Sequence, residues 1–189
     1  MLFRSTTQVV NANLSLALNA VDTFENVSGG SLNDTLTGNS LANRLVGNAG
    51  LDTLVGGAGN DTLDGGLGND NLQGGADNDT YLFGADLVLG ADTLTELAGA
   101  GTDTLDFSPT TGKALVLNLG LNTAQTVVAT NLTLTLNAVD TFENVIGGAL
   151  NDTLTGNALA NRLDGNAGND TLQGLAGDDT LIGGLGNDS

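Results

Sequence analysis

The chain has 189 residues and a formal net charge of −18, from 22 acidic and only 4 basic residues. This charge repels nucleic-acid phosphates and anionic lipids, and no apolar stretch is long enough to span a bilayer, so we expect neither a nucleic-acid partner nor membrane insertion. The absence of cysteine and histidine excludes thiol nucleophiles, Ser-His-Asp triads and zinc sites built on those residues. The 29 glycines recur every few residues, which disfavours helix and predicts an all-β protein.

Internal repeats dominate the chain. Residues 1–28 are interpreted as a β-type lead-in or cap. From residue 29 the chain repeats every nine residues, and residues 13–70 recur at 131–188 with 47 of 58 positions identical. The first copy contains the nonapeptides 29–37, 38–46, 47–55, 56–64, 65–73 and 74–82, and the second contains 147–155, 156–164, 165–173, 174–182 and the partial repeat 183–189.

Each nonapeptide predicts one turn and one short strand. Its first six residues follow the pattern G-G-x-G-x-D and favour a turn, while the last three form a strand whose central leucine points inward. Two nonapeptides close a coil of 18 residues, and stacked coils pair their strands in parallel. The sequence therefore predicts a right-handed parallel β-roll, or β-solenoid, with a thin aliphatic core.

Residues 83–146 contain no nonapeptides but keep β-type patterns, such as LTLTL at 132–136. We interpret them as wider β coils that join a first roll at 29–82 to a second roll at 147–189. The pattern leaves open whether the two rolls form one solenoid or two hinged blocks. The last nonapeptide stops midway, which is typical of a piece of a longer array.

Position six of the nonapeptide carries an acid in nearly every repeat. Because odd and even repeats stack on opposite edges, these acids are expected to form two columns of like charge, which the four basic residues cannot neutralise. Carboxylate and turn carbonyl oxygens are the ligands that Ca²⁺ prefers, so several calcium ions are predicted between the stacked turns. The position-six aspartates are Asp34, Asp52, Asp61, Asp70, Asp79, Asp152, Asp170, Asp179 and Asp188.

The repeats resemble the RTX (repeats-in-toxin, haemolysin-type) calcium-binding nonapeptide, G-G-x-G-x-D-x-L-x. This resemblance implies a β-roll with Ca²⁺ between neighbouring turns, and position-six aspartates as side-chain ligands. Asn43 and Asn161 replace the acid in the second repeat of each copy, and the first two repeats of each copy have Leu where the fourth-position Gly belongs, so weak or absent sites are expected there. The carbonyl ligands implied by the resemblance are those of Gly47, Gly56, Ala58, Gly65, Leu67, Gly165, Gly174 and Gly183.

Several residues outside the repeats allow more than one interpretation. Asp103 and Asp106 could form an extra calcium site. Glu25 with Asp22, and Glu143 with Asp140, could be catalytic pairs, although solvated or locally hydrogen-bonded acids at a coil edge are the favoured interpretation. The LTLTL segment is interpreted as an ordinary strand rather than a ligand-binding threonine ladder.

The favoured function is a calcium-binding module that folds when it binds calcium, within a secreted or surface-exposed bacterial protein. The resemblance implies export by type I secretion. We expect no enzymatic activity from the chain itself, and the expected partners are calcium ions and flanking repeats or domains of a longer chain. The alternatives are a structural spacer or adhesin stalk, and an accessory module of a secreted lipase, protease or polysaccharide-modifying enzyme.

Overall fold

A computed structural model describes residues 13–18 and 25–189, and the remainder of the predicted lead-in lies outside the described residues. The described part is an all-β parallel solenoid of about nine turns and contains no helix, which confirms the predicted fold class. It accordingly contains no helix of the length and apolarity needed to cross a lipid bilayer.

The chain alternates between two faces of the solenoid. The first face holds a seven-stranded sheet, in the order β1-β3-β5-β7-β9-β13-β12, and a three-stranded sheet, β11-β15-β17. The second face holds an eight-stranded sheet, β18-β16-β14-β10-β8-β6-β4-β2. The strands are β1 (Ser15–Ala17), β2 (Asn26–Ser28), β3 (Thr35–Thr37), β4 (Arg44–Ala49), β5 (Thr53–Ala58), β6 (Thr62–Leu67), β7 (Asn71–Ala76), β8 (Thr80–Leu82), β9 (Gly90–Thr95), β10 (Thr104–Asp106), β11 (Val116–Asn118), β12 (Gln125–Val128), β13 (Leu132–Leu136), β14 (Asn144–Ile146), β15 (Thr153–Thr155), β16 (Arg162–Asp164), β17 (Thr171–Gln173) and β18 (Thr180–Ile182).

The core is a line of aliphatic side chains that stack from coil to coil. On the first face Leu36 pairs with Leu54, which pairs with Leu72, and all three are fully buried. Because neighbouring strands lie about 4.8 Å apart, each leucine contacts the equivalent leucines above and below it. This register places every position-six acid directly above the next one, at the point where the turn meets the strand.

The two copies share one continuous sheet. The eight-stranded sheet crosses the connecting region through β10 and β14, which pair in parallel. The first face is interrupted there, because the chain passes through β11, β12 and β13 between β10 and β14, and β12 runs antiparallel to β13. The LTLTL segment is β13, paired on both sides, with its leucines buried as an ordinary strand requires.

The turns need a left-handed backbone at two positions of the repeat. In one repeat Gly57 at position two has φ 117° and Gly59 at position four has φ 96°. Glycine adopts these angles without a steric penalty. A few repeats place another residue there, and Leu175 at position two has φ 76°.

Candidate metal sites

Position-six side chains on one edge of the solenoid are joined by a regular set of hydrogen bonds, which we call the first ladder. The backbone N–H of Asp34 donates to Oδ1 of Asp52 at 2.7 Å, that of Asp52 to Asp70 at 2.9 Å, and that of Asp70 to Asp92 at 2.9 Å. The same pattern returns in the second copy, where the ladder contains Asp152, Asp170 and Asp188. The acids therefore stack in a column, and each carboxylate is fixed by the coil that precedes it.

The second ladder runs along the other edge and continues through the connecting region. The N–H of Asp61 donates to Oδ1 of Asp79 at 2.8 Å, and the N–H of Asp79 donates to Oδ1 of Asp103 at 2.9 Å. The N–H of Asp103 then donates to a carboxylate oxygen of Glu143 at 2.8 Å. Its other members are Asn43 before Asp61, and Asn161 and Asp179 after Glu143.

Most ladder carboxylates are buried, and five of them have one oxygen without a hydrogen-bond donor. Asp52, Asp61 and Asp79 are each only 1% exposed. A buried carboxylate oxygen without a partner carries a large desolvation cost, so such an atom requires a positive partner or a proton. Within the described residues these oxygens are Oδ2 of Asp52, Asp61, Asp70, Asp79 and Asp170.

The position-one glycine of most repeats makes room for a close approach of two oxygens, and we call the space at this glycine the glycine gap. A methyl group on Gly147 would lie 2.7 Å from Oδ2 of Asp152 and 2.8 Å from the carbonyl oxygen of Gly165 in the next coil. A methyl group on Gly47 would overlap the equivalent oxygens of Asp52 and Gly65. A carboxylate of one coil and a carbonyl of the next therefore converge on the same space.

The structure brings together part of the predicted ligand set. The first-position carbonyls of Gly47, Gly65, Gly165 and Gly183 face the gaps that contain Asp34, Asp52, Asp152 and Asp170, while those of Gly56 and Gly174 face Asn43 and Asn161. The third-position residues instead form backbone hydrogen bonds between neighbouring coils. The carbonyl of Leu67 accepts the N–H of Gly50 at 2.9 Å, and the N–H of Ala58 donates to the carbonyl of Asn39 at 3.1 Å.

The first and last acids of the columns differ from the others. Both carboxylate oxygens of Asp34 accept backbone N–H groups, from Leu14 at 2.7 Å and Gly30 at 2.6 Å. Asp152 accepts N–H groups from Leu115 and Gly148 in the same way. In the last coil Asp179 is half-buried and Asp188 is exposed. The five orphaned oxygens thus belong to acids within the stack, which makes these acids the strongest candidates for metal ligands.

Sequence reasoning missed some members of the ladders. Asp92 and Glu143 lie in coils without a nonapeptide, and only the phrase G-x-D-T-L, shared by 90–94 and 101–105, indicates a degraded turn and strand. Asp103 and Asp106 do not come together as a calcium site, because Asp103 belongs to the second ladder while Asp106 accepts the N–H of Ser108 at 2.8 Å in a local turn. Glu143 accepts the N–H of Asp103, which is 40 residues away, so it belongs to the second ladder and is not the solvated or locally hydrogen-bonded acid that the sequence favoured.

Burial controls the protonation of the ladders. It raises the pKa of Asp61 and Asp70 to about 6, and that of Asp79, Asp92 and Asp103 to about 7. The hydrogen bond from a backbone N–H opposes this rise in each case, and neighbouring carboxylates add to it. Ionised ladders are therefore costly in the metal-free protein at neutral pH.

Basic side chains do not neutralise the ladders in the described part of the chain. Arg44 lies 3.6 Å from Asp64, and Arg162 lies 3.0 Å from Asp164. Asp64 and Asp164 are position-nine residues on the strands, away from the turns. A bound cation is therefore needed to neutralise the charge of the position-six acids.

The donor set fits calcium. Carboxylate and backbone carbonyl oxygens converge between turns, and this hard-oxygen environment is the type that Ca²⁺ occupies with six to eight ligands. Mg²⁺ requires a tighter octahedron and keeps several of its waters, which suits a closely stacked turn less well.

The comparisons with known proteins agree with this fit. The family described as RTX calcium-binding nonapeptide repeat matches four times, at residues 28–63, 58–87, 146–174 and 155–189, which together cover more than half of the chain. No curated protein matches the chain. On the repeats, the buried ladders and the extent of this match, the chain belongs to the RTX calcium-binding repeat family.

Proposed function

We propose that the chain is a calcium-operated folding module, in which calcium binding at the glycine gaps supplies the free energy that keeps the solenoid folded at neutral pH. The five orphaned, buried Oδ2 atoms are the observation that carries the proposal. A stack of ionised carboxylates without positive partners opposes folding, and a cation that binds only the folded chain reverses this balance.

The buried carboxylates of Asp52, Asp61, Asp70, Asp79 and Asp170 would hold calcium, which would supply the positive charge that they lack. The chain's own residues prepare each site. The backbone N–H of the preceding coil fixes Oδ1 of the aspartate, so Oδ2 is directed towards the glycine gap. Backbone hydrogen bonds between the strands set the spacing of the coils, which makes each site dependent on the folded stack.

The environment in which this module acts follows from its calcium requirement. Cytosolic calcium is scarce, so the chain would remain unfolded inside the cell, whereas extracellular calcium would fold it. This dependence and the family membership support a secreted or surface-exposed bacterial protein exported by type I secretion. The chain would act as a binding module without catalysis of its own, and any enzymatic activity would come from another domain of a longer protein.

Asparagine already occupies the ladder position twice, which provides a matched test. Oδ1 of Asn161 accepts the N–H of Asn157 at 2.7 Å, and its amide donates to the carbonyl of Glu143 at 3.1 Å. In Asn161 the amide oxygen therefore lies in the glycine gap of Gly156, the amide nitrogen takes the place of the ladder oxygen, and the position carries no charge. The variant Asp52→Asn/Asp61→Asn/Asp70→Asn should fold without calcium and bind less of it, whereas Asp178→Asn, at an exposed position, should behave as the parent chain.

The experiment is a calcium titration of these three chains followed by far-UV circular dichroism and isothermal calorimetry, with Mg²⁺ as the selectivity control. We expect the parent chain to lose its β signal in chelator and regain it with calcium, and the triple variant to keep the signal throughout. A parent chain that is fully β in chelator and indifferent to calcium would refute the proposal.

A further inference from the structure

A buried cluster of three carboxylates lies where the first roll meets the connecting region. Asp79 is the position-six acid of the last repeat in the first copy, and Asp103 follows it in the second ladder. Glu96 comes directly after strand β9 and reaches the same place from the first face. All three side chains are at most 2% exposed, and one oxygen of each lies within 4.8 Å of the others.

Tyr81 fixes one corner of this cluster. It occupies position eight, where every other repeat with that position has leucine, and its side chain is fully buried. Its longer side chain carries a hydroxyl group across the coil, where the hydroxyl accepts the N–H of Gly74 at 2.6 Å and donates to Oε1 of Glu96. The ring packs edge-on against Phe142, with centroids 5.6 Å apart. Glu96 is therefore held over the glycine gap of Gly74.

An unpartnered oxygen points into the same gap. Oδ2 of Asp79 has no hydrogen-bond donor, and a methyl group on Gly74 would overlap both this atom and Oε1 of Glu96. In the repeat gaps a carboxylate meets a backbone carbonyl, whereas here it meets a second carboxylate. Arg44 and Arg162 are engaged with acids elsewhere, so neither neutralises this charge.

We propose that Asp79, Glu96 and Asp103 form a separate divalent-cation site that takes calcium and also accepts trivalent lanthanides. The proposal rests on the proposed function only in that Asp79 is also the last aspartate of the first copy's repeats. Because the affinity of oxygen sites rises with the charge of their ligands, this site binds the first calcium that the chain takes up. Its ligands come from both sides of the 82/83 boundary, so the ion joins the connecting coils to the first roll.

The chain carries its own reporter for this site. Tyr81 is the only tyrosine and there is no tryptophan, so tyrosine-sensitised Tb³⁺ luminescence reports an ion bound near Tyr81. The experiment titrates Tb³⁺ into the parent chain and into Glu96→Gln, Asp103→Asn and Gly74→Ala, with Asp178→Asn, at an exposed position outside both ladders, as the control. Gly74→Ala keeps every carboxylate but fills the gap. Calcium calorimetry on the same proteins counts the ions, and far-UV circular dichroism shows which of them fold.

We expect Tb³⁺ emission to saturate at one equivalent in the parent chain and to fall at least tenfold in Glu96→Gln and Gly74→Ala, but to persist in Asp178→Asn. Glu96→Gln should also lose the tightest calcium. Emission that survives in Glu96→Gln and Gly74→Ala, or that never appears in the folded parent chain, would overturn the proposal. A different result would refute the proposed function, namely a chain that folds independently of calcium. The Tb³⁺ stoichiometry could still be measured in that case.

Discussion

The repeats at 29–82 and the connecting region at 83–146 both stack their coils through the ladders, although their sequences differ. Both continue the ladders, because Asp92 and Asp103 accept backbone N–H groups in the same way as Asp52 and Asp61 do. Only the repeats combine each acid with a glycine five residues earlier. Leu87 and Ala98 occupy that position before Asp92 and Asp103.

This difference separates two roles that the nonapeptide combines. The ladder needs an acceptor at the point where turn meets strand, and an aspartate or a glutamate provides it. The glycine gap needs an absent side chain, so that a carboxylate and a carbonyl can converge. A coil can therefore keep the stack intact without offering a metal site of the repeat type, and variants in the two regions should separate these roles.

The largest effect should come from pH in metal-free protein, since burial raises the pKa of ladder carboxylates in both regions. The folded pKa values of Asp61, Asp70, Asp79, Asp92 and Asp103, about 6 to 7, exceed the unfolded value of about 3.9, so the folded state binds more protons between these limits. The resulting stability is complete below about pH 4 and is lost as the pH rises through 6 to 7. Because several groups contribute and solvent screens part of each contribution, we expect a total loss on the order of several kcal/mol.

The measurement is the urea midpoint of metal-free protein between pH 4.5 and pH 8, followed by circular dichroism. We expect the midpoint to fall as the pH rises, and calcium to restore it at pH 7.5. A midpoint that rises with pH in the absence of metal would show that the ladders are stabilised as ionised groups without calcium.

Deleting one acid from each region tests the two roles directly. Asp70→Ala leaves the N–H of Asp52 without its acceptor, and Asp92→Ala does the same to Asp70, so both variants should lose about 1–3 kcal/mol in metal-free protein at pH 5. Only Asp70→Ala removes an oxygen from a glycine gap, that of Gly65. Calorimetry should therefore show one calcium fewer in Asp70→Ala and an unchanged number in Asp92→Ala. Loss of calcium from both variants would contradict the separation of roles.

A glycine from each region tests the gap without changing any charge. A methyl group in Gly47→Ala would overlap Oδ2 of Asp52 and the carbonyl of Gly65, so we expect a loss of about 1–3 kcal/mol and of one calcium. Gly84 in the connecting region meets only Cβ of Pro109, at 3.9 Å, and Gly84→Ala should be neutral or stabilising by up to about 1 kcal/mol. Thermal unfolding with saturating calcium measures both changes. Equal losses of stability in the two variants would show that the effect of Gly47→Ala does not come from the glycine gap.

The period of nine was enough to predict the fold, because a turn, a three-residue strand and an inward leucine leave few other packings. The columns of acids could also be predicted, because nine aspartates occupy position six of the nonapeptide. The direction in which the carboxylates point could not be predicted, because the sequence does not show that Asp52 turns inward and accepts a backbone N–H. Asp92 and Glu143 were missed because insertions break the period, and Glu96 because its partners Tyr81 and Asp79 lie 15 and 17 residues away.

The smallest effect concerns the turn backbone, where the two copies differ. Gly57 of the first copy corresponds to Leu175 of the second, and both have positive φ, at 117° and 76°. A side chain in this conformation lowers the stability of the folded state by about 1–2 kcal/mol. Glycine avoids this strain but lowers the stability by about 0.5–1 kcal/mol, because it loses more conformational entropy on folding. Leu175 is 57% exposed, so Leu175→Gly sacrifices little burial and should gain about 0.5–1 kcal/mol.

The matched control is Asn166→Gly, at the same position of the preceding repeat with φ 67°. Asparagine tolerates the left-handed region, so this exchange removes little strain and loses the contact of its side-chain amide with the carbonyl of Gly147. Urea unfolding with saturating calcium should show a higher midpoint for Leu175→Gly and an unchanged or lower one for Asn166→Gly. Equal gains in both variants would mean that glycine relaxes the turn as a whole, and that the stacked coils, rather than the side chain of Leu175, hold the backbone under strain.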